Sequence, residues 1–239
     1  MWIWFVFWIL VFFPVIVLVY LITYPFDRYR RIPNRLLKGL GLLMIGINPG
    51  WKVEFRGLER YERGSPAIFV ANHQSFMDMP VIYLLPWKMK WVAKKSLFRI
   101  PVLGWMIYMT GHLAIDRHSM KSVRKLDQLV EPIQQGIPAM IFPEGTRTAN
   151  GELKRFKTGA FLLAKRYNFK LYPLVLDGGY QVLPSGNWRF RFNERFIVSV
   201  QEGIDPEQFD TIDELRKHTY DVINRKLDAI RQEDDATKP

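Results

Sequence analysis

Residues 67–85 read AIFVANHQSFMDMPVIYLL, and this segment says more about the architecture than any other part of the chain. Its first five residues, 67–71, are apolar and rich in strand formers, so they predict a short buried β-strand. Its last seven residues, 79–85, are mostly apolar again and predict the beginning of a helix. The polar segment between them contains His73 and Asp78. We therefore expect His73 to lie at the carboxyl end of a strand, where the chain turns into a helix.

The spacing of His73 and Asp78 predicts a general base if a turn brings the two side chains together. On one continuous helix, residues five apart point about 140° away from each other and do not meet. Pro80 suits the first turn of a helix, which favours a turn before it. A carboxylate that holds an imidazole in one tautomer makes it an effective base. The alternative is a helix-capping aspartate beside an unrelated loop histidine, since short motifs recur by chance.

A second motif, Phe142-Pro143-Glu144-Gly145-Thr146-Arg147, follows another apolar run at 137–141. Ligands of α/β sheets bind outside the carboxyl ends of the strands, so this motif and the first predict one crevice. Gly145 allows close approach of the backbone to a phosphate or oxyanion, and Arg147 offers a planar fork that suits phosphate oxygens. Glu144 either orients Arg147 or caps backbone amides, and the sequence leaves both alternatives open.

The two motifs resemble those of the glycerolipid acyltransferase family, in which N-H-x4-D is followed about seventy residues later by F-P-E-G-T-R. The resemblance is strongest to the bacterial 1-acyl-sn-glycerol-3-phosphate (lysophosphatidate) acyltransferases. Between the motifs, residues 94–105 and 111–117 resemble the second block of the family, and 156–160 resembles the segment after the second motif. Leu171-Tyr172-Pro173-Leu174-Val175 stands where the family commonly has V-P-V, from which it departs at Tyr172 and Leu174.

The resemblance implies an O-acyltransferase that moves an acyl chain from an acyl thioester to the sn-2 hydroxyl of lysophosphatidate, giving phosphatidate. The thioester, of acyl carrier protein or coenzyme A, would be a co-substrate, and no cofactor is implied. The implied catalytic pair is His73 with Asp78. Residues expected to bind the acceptor phosphate are Arg147, Gly145, Thr146, Lys94 and Arg117, and Glu144 and Pro173 are expected to support the motifs.

Ordinary alternatives exist for the second-block residues: Lys94 as a solvated charge, and Arg117 as the partner of Asp116 in a weak surface ion pair. A metal site is not expected, because the other histidines lack ligand-like spacing. Those histidines are His112, His118 and His218.

The first 26 residues carry no charged side chain and include Trp2, Trp4 and Trp8. As a helix this segment is long enough to cross a hydrocarbon core of about 30 Å, so we predict that it enters the membrane. A cleaved signal peptide is not expected, since a basic n-region and a small-residue cleavage site are both missing. Pro14 would kink a spanning helix, which leaves open a helix that dips into one leaflet.

A basic segment follows, with charged residues at Arg28, Arg30, Arg31, Arg35 and Lys38. By the positive-inside rule it predicts an inner-membrane protein whose catalytic domain lies on the cytoplasmic side. Apolar residues between 36 and 47 then recur at helical spacing over a stretch too short to span. This pattern predicts an amphipathic helix, either at the membrane interface, as its position favours, or in an ordinary core.

The chain divides into membrane-embedded and interfacial helices at 1–49 and an α/β acyltransferase domain at 50–239. For the domain we predict a mostly parallel mixed sheet flanked by helices, because strand-like runs alternate with helical patterns. Thr211 and Glu214 form a capping box that opens a C-terminal helix. The predicted strands are 51–55, 67–71, 89–93, 112–115, 138–142, 170–176, 187–192 and 195–200, the last of them in an antiparallel edge.

The chain of 239 residues has a formal net charge of +11 and no cysteine. Such a charge indicates an anionic partner, either nucleic acid or anionic lipid. The sequence has no helix-turn-helix, zinc-ligand or RNA-binding signature, so we predict an anionic bilayer surface as partner and no nucleic acid. The lack of cysteine excludes disulfides, thiolate metal ligands and a cysteine nucleophile.

Three classes of function therefore remain. The favoured one is the lysophosphatidate acyltransferase, or a member of the same family that acts on another lysophospholipid or on glycerol 3-phosphate. The second is a serine esterase or lipase built on Ser75 and His73, although no G-x-S-x-G elbow is present and Ser75 suits a turn better. The third is a basic membrane scaffold without chemistry, which would tolerate His73→Ala.

Overall fold

A computed structural model describes residues 1–116 and 124–237 of the chain. In these residues a seven-stranded sheet has the order β1-β7-β6-β2-β5-β3-β4. Parallel pairing joins β6, β2, β5, β3 and β4, whereas β7 runs antiparallel to β6 and carries β1 parallel to itself at the edge. The predicted mostly parallel mixed sheet is therefore confirmed. The strands are β1 (Lys52–Arg56), β2 (Ala67–Ala71), β3 (Lys90–Lys94), β4 (Leu113–Ile115), β5 (Ala139–Ile141), β6 (Lys170–Asp177) and β7 (Arg195–Val200).

Helices cover both faces of the sheet. They are α1 (Trp2–Thr23), α2 (Arg31–Gly46), α3 (Asp78–Ile82), α4 (Leu103–Met109), α5 (Val130–Gln134), α6 (Gly159–Tyr167), α7 (Gly179–Val182) and α8 (Ile212–Thr237). Alternate residues of β2 enter different cores, because side chains of a strand point to opposite faces in turn. Phe69 packs with α1 to α4, and Ile68 and Val70 pack with α5, α6 and α8. Burial on both faces explains why β2 is a continuous apolar run.

The capping box predicted for the C-terminal helix is confirmed. The Thr211 hydroxyl accepts the Glu214 N–H at 3.1 Å, and the Glu214 carboxylate accepts the Thr211 N–H at 3.1 Å. Together they satisfy two N–H groups that the first helical turn leaves without a partner. From there α8 packs one apolar face onto the sheet, with Leu215, Ile223, Leu227 and Ile230 buried.

The strand predicted at 187–192 is wrong. The Asn187 side-chain oxygen accepts the N–H groups of Trp188 and Arg189 at 2.8 and 3.0 Å, so the backbone donors that a neighbouring strand would need are bound locally. This asparagine turn competes with strand pairing. The alternating aromatic residues belong instead to a surface loop, in which Phe190 is half-buried and Phe192 is exposed.

Helix α1 continues through Pro14 and is the one described helix that is long and apolar enough to cross a membrane, with a mean hydropathy of 3.0. Only 11% of that window is buried, which is unlike the core helix of a soluble domain and indicates membrane association. Its inner face nevertheless packs on the domain, where Phe5 and Ile16 are buried and Phe13 lies 5.8 Å from the Trp105 ring of α4.

Helix α2 uses its apolar stripe inside the protein. Leu37, Leu40 and Met44 are buried among α1, α3 and the sheet, while Leu42 is exposed. Asp27, four residues before Arg31, caps the first turn of the helix, since its carboxylate accepts the N–H groups of Arg31 and Ile32 at 2.8 and 2.7 Å. The packing of the buried stripe is that of a core helix, and contact of α2 with the bilayer stays a prediction.

Candidate active site

His73 and Asp78 meet beyond the carboxyl end of β2. The Nδ1 atom of His73 lies 2.7 Å from Oδ2 of Asp78, which is the first residue of α3. The turn that the five-residue spacing requires is therefore present, because residues 72–77 fold back between the strand and the helix. The aspartate side chain is 2% exposed and the histidine side chain 12% exposed.

The surroundings of Asp78 fix the tautomer of His73. Oδ2 of Asp78 also accepts the backbone N–H groups of Gln74 and Ser75, at 2.7 and 2.9 Å. An oxygen that accepts two N–H donors cannot itself carry the proton of the third contact, so Nδ1 of His73 carries it. In the neutral form of this ring, Nε2 is the nitrogen without a proton, as a general base requires.

Glu144 binds backbone amides, which resolves the alternatives that the sequence leaves open for it. One carboxylate oxygen accepts the N–H of His73 at 2.7 Å, and the other accepts the N–H of Lys154 at 3.1 Å. Burial raises the pKa of Glu144 to about 7, although both backbone hydrogen bonds favour the charged form and oppose this shift. The second motif thus holds the backbone of the first, across 71 residues of sequence.

The ring of His73 is also held from its face. Phe142, just after β5, stacks on the imidazole with ring centroids 4.0 Å apart and planes 16° apart. The carbonyl oxygen of His73 accepts the N–H of Thr148 at 2.8 Å. Both contacts come from the second motif or its flank, so the two motifs form one site, as the sequence predicts.

Arg147 and His73 both line an apolar cavity of about 180 Å³. Within the part of the chain that the structure describes, the Arg147 guanidinium makes no hydrogen bond or ion pair, while the Arg147 carbonyl oxygen accepts Nζ of Lys154 at 2.9 Å. A half-buried cation without a protein partner is suited to an anionic ligand. The other lining residues are apolar or aromatic: Ile9, Leu37, Leu40, Met44, Phe76, Met79, Pro80, Tyr83, Leu97, Leu103, Met106 and Ile107, with Gly41.

The remaining predicted residues lie at different distances from this cavity. Gly145 is buried with a positive φ of 71°, a conformation that glycine adopts without strain, and Thr146 beside it is exposed. Lys94 ends β3 and is exposed. Pro173 lies inside β6, paired in register with Val70, so it belongs to the sheet and not to the crevice.

Arg117, predicted to bind the acceptor, lies outside the described residues. Its neighbour Asp116 is the last residue described before that gap.

Ser75 is placed as a structural residue. It is fully buried, its hydroxyl donates to the carbonyl oxygen of Leu183 at 2.7 Å, and the same oxygen accepts the N–H of Met77 at 3.2 Å. Both contacts hold the turn between β2 and α3, as expected of a turn residue.

A family model described as Acyltransferase matches residues 52–177, which include β1 to β6 and both motifs. The chain belongs to the acyltransferase family. Among curated proteins, the 1-acyl-sn-glycerol-3-phosphate acyltransferase of Chlamydomonas reinhardtii is 36% identical over 163 residues, 67% of this chain and 49% of that protein. The Haemophilus influenzae protein of the same name is 30% identical over 189 residues, 77% of this chain and 78% of that protein.

Among solved structures, the 1-acyl-sn-glycerophosphate acyltransferase PlsC of Thermotoga maritima superposes with a TM-score of 0.73 at 25% identity, covering 93% of this chain and 95% of that one. The chain spans about half the length of the algal and plastid relatives that it matches.

The chain also contains a support network whose partners no local pattern indicates. Gln74 Nε2 donates to Oδ1 of Asp177 at 3.0 Å, and the same oxygen lies 3.4 Å from Nε of Arg231 on α8. Asn72 clamps β2 to β6, since its amide exchanges two hydrogen bonds with the backbone of Leu176 at 2.7 and 2.8 Å. The partners lie 54 to 104 residues apart, so only the folded chain brings them together. The one sequence signal is the polar character of Asn72 and Gln74 directly after a buried strand.

Proposed function

We propose that this chain is a 1-acyl-sn-glycerol-3-phosphate acyltransferase that transfers an acyl chain from an acyl thioester to the sn-2 hydroxyl of lysophosphatidate. The observation that carries the proposal is the arrangement around one cavity: a His73–Asp78 pair at 2.7 Å, the Arg147 guanidinium, which has no partner among the described residues, and apolar walls. Family membership and the names of the relatives support the same reaction.

The reaction begins with proton transfer to His73. Nε2 accepts the proton of the acceptor hydroxyl while the hydroxyl oxygen attacks the thioester carbonyl. Asp78 stabilises the imidazolium that forms, since its carboxylate stays 2.7 Å from Nδ1. The tetrahedral intermediate collapses as the carbon–sulfur bond breaks, and the imidazolium returns its proton to the leaving sulfur. The products are phosphatidate and the free thiol of acyl carrier protein or coenzyme A.

Arg147 binds the phosphate of the acceptor in this proposal. It lines the cavity with His73, and the cation of a guanidinium matches two phosphate oxygens at once. Lys94 and Arg117 assist from the second block, as the resemblance implies. An acceptor without phosphate would leave the guanidinium without its anion, which is the physical basis of acceptor selection here.

The apolar walls suit a hydrocarbon chain. They come from α1, α2, α3 and α4, so the cavity lies among the helices on the same face of the sheet as α1, the proposed membrane helix. A serine esterase is not favoured, because Ser75 is buried and its hydroxyl is held by Leu183 and Met77.

We further propose that the protein resides at the inner membrane with its catalytic domain on the cytoplasmic side. Support comes from α1, whose outward face is apolar, and from the basic segment that follows it. Part of that basic segment contacts the domain: Arg28 pairs with Glu131 at 2.9 Å, and Arg30 lies over the Tyr108 ring. Arg35 and Lys38 are exposed, and in this proposal they bind anionic headgroups.

The experiment is a competition among acceptors. Lysophosphatidate, glycerol 3-phosphate and lysophosphatidylcholine are offered together to the full chain in detergent with acyl-coenzyme A, or with the acyl carrier protein thioester, and mass spectrometry measures the products. Phosphatidate should dominate, and the His73→Ala variant should form it at least about a hundredfold more slowly with an unchanged melting temperature. Products from another acceptor, or near wild-type turnover by His73→Ala, would refute the proposal.

A further inference from the structure

Residues 184–193, here called the aromatic loop, expose large apolar side chains that contribute little to the interior. Trp188 is 67% exposed and Phe192 is 62% exposed. Phe190 between them points inward, with its ring 5.0 Å from Trp2, 5.5 Å from Phe5 and 6.0 Å from Trp51. The loop therefore holds one aromatic side chain as an anchor and presents the other two outward.

The backbone of the aromatic loop is fixed by hydrogen bonds. The Asn187 side chain accepts two N–H groups of the loop, the N–H of Asn187 donates to Pro184, and the N–H of Arg191 donates to Val182 at 2.9 Å. The backbone that carries Trp188 and Phe192 is thus held in one conformation, which distinguishes these residues from aromatic residues on a flexible terminus.

The exposed side chains adjoin the apolar surface of α1. The indole N–H of Trp2 donates to the carbonyl oxygen of Trp188 at 2.7 Å. One residue further on, Ile3 is 87% exposed, and Phe7 and Leu10 continue the apolar face of the helix. The loop and the helix therefore form one continuous apolar surface at the N-terminal end of α1.

The positive charge of the aromatic loop indicates which kind of partner it binds. Arg189 lies over the Trp188 ring at 5.3 Å, Arg191 is exposed, and the loop contains no carboxylate. Tryptophan with arginine suits the boundary between headgroups and acyl chains of an anionic bilayer. A second copy of the chain fits poorly, because it carries the same net charge of +11.

We propose that the aromatic loop is a second membrane contact, in which Trp188 and Phe192 enter the headgroup–acyl boundary and Arg189 and Arg191 bind lipid phosphates. The contact bears on substrate access. Trp2 and Phe5, which both pack on Phe190, also pack on Phe76, which lines the cavity beside His73, with ring centroids 5.8 and 6.5 Å from that of Phe76. Docking of the loop brings this end of the cavity to the bilayer surface.

The test uses the full chain, in which the absence of cysteine allows a single label to be placed by one substitution. Phe192→Cys and, separately, Trp188→Cys are labelled with an environment-sensitive fluorophore and reconstituted into vesicles of phosphatidylcholine and phosphatidylglycerol at about 3 to 1. Lipids that carry a nitroxide near the headgroup then quench labels at the boundary. Leu10→Cys on α1 is the membrane control, and Lys217→Cys on α8, across the sheet, is the aqueous control.

Quenching of the label at position 192 or 188 should approach that at position 10 and exceed that at position 217 by roughly fivefold. The double variant Arg189→Gln/Arg191→Gln should lower the quenching at positions 188 and 192 on anionic vesicles. The double variant Lys217→Gln/Arg225→Gln, which removes the same charge from α8, should leave that quenching unchanged.

Quenching at positions 188 and 192 equal to that at position 217 would overturn the proposal. A change in emission that rises with the ratio of protein to lipid, without nitroxide quenching, would overturn it in favour of self-association. Neither outcome involves acyl transfer, so the result is independent of the proposed activity.

Discussion

Two replacements of Asp78 should separate its proposed catalytic role from its role in the fold, because the same oxygen would serve both. Oδ2 accepts the Nδ1 proton of His73 and the N–H groups of Gln74 and Ser75, all between 2.7 and 2.9 Å. In Asp78→Asn, the amide oxygen can take this position and accept the same three donors. The orientation of the ring and its tautomer should therefore survive, and only the negative charge is lost.

The expected loss follows from the charge. Opposite unit charges 2.7 Å apart attract by about 6 kcal/mol at an effective dielectric constant of about 20. The amide dipole replaces part of this attraction to the imidazolium. We therefore expect the activation free energy to rise by about 3 to 5 kcal/mol, which lowers kcat by roughly 10²- to 10⁴-fold. The melting temperature should change little.

Asp78→Ala should behave differently. It leaves the N–H groups of Gln74 and Ser75, which are 1% and 0% exposed, without an acceptor, at a cost of about 1 to 3 kcal/mol each. Rates of acyl transfer and melting curves are measured on both variants in the same detergent. An Asp78→Asn enzyme within tenfold of the wild type, or an Asp78→Ala protein as stable as Asp78→Asn, would refute the reasoning.

Three further outcomes are expected. Arg147→Ala should lower kcat/KM for lysophosphatidate by about ten- to a hundredfold with little effect on monoacylglycerol, and Arg147→Lys should restore part of it; equal losses on both acceptors would contradict phosphate binding. Glu144→Gln should lose about 1 to 3 kcal/mol of stability together with activity, measured by melting and initial rates, because an amide offers only one acceptor for two N–H donors. Burial lowers the pKa of Lys90 to about 7, so the native state binds fewer protons than the unfolded chain. Stability should then rise by up to about 1.4 kcal/mol per pH unit from about 7 to 10, and Lys90→Met should abolish this rise.

The local pattern of the sequence predicted the positions of His73 and Asp78 well. The apolar run of β2 and the polar turn after it are separate signals, and each lies within a few residues of the other, so periodicity and turn chemistry suffice. The same holds for the capping box of α8, whose two partners are three residues apart. Contacts of this range depend little on the rest of the fold.

Contacts over long separations could not be predicted. The acceptor of the His73 N–H is Glu144, 71 residues away, and Asp177 meets Gln74 only because β6 lies beside β2 in the sheet. At 187–192 the alternating aromatic residues have the sequence pattern of a strand, but the Asn187 side chain accepts the N–H groups of Trp188 and Arg189, which strand pairing would need. A side-chain hydrogen bond overrides the pattern there, and no periodicity reveals it.

The apolar helix and the cavity depend on one another. Ile9 of α1 and Leu37 of α2 line the cavity, and Phe5 and Ile16 are buried in the core that also contains Phe69 of β2. Removal of α1 would therefore open the cavity and expose this core as well as weaken attachment to the bilayer. If the cavity receives the acyl chain as proposed, the acyl chain passes from the bilayer into the protein along one apolar surface and avoids water. Membrane attachment and substrate binding are then two uses of one helix, since its outer face meets lipid while its inner face forms the wall beside His73.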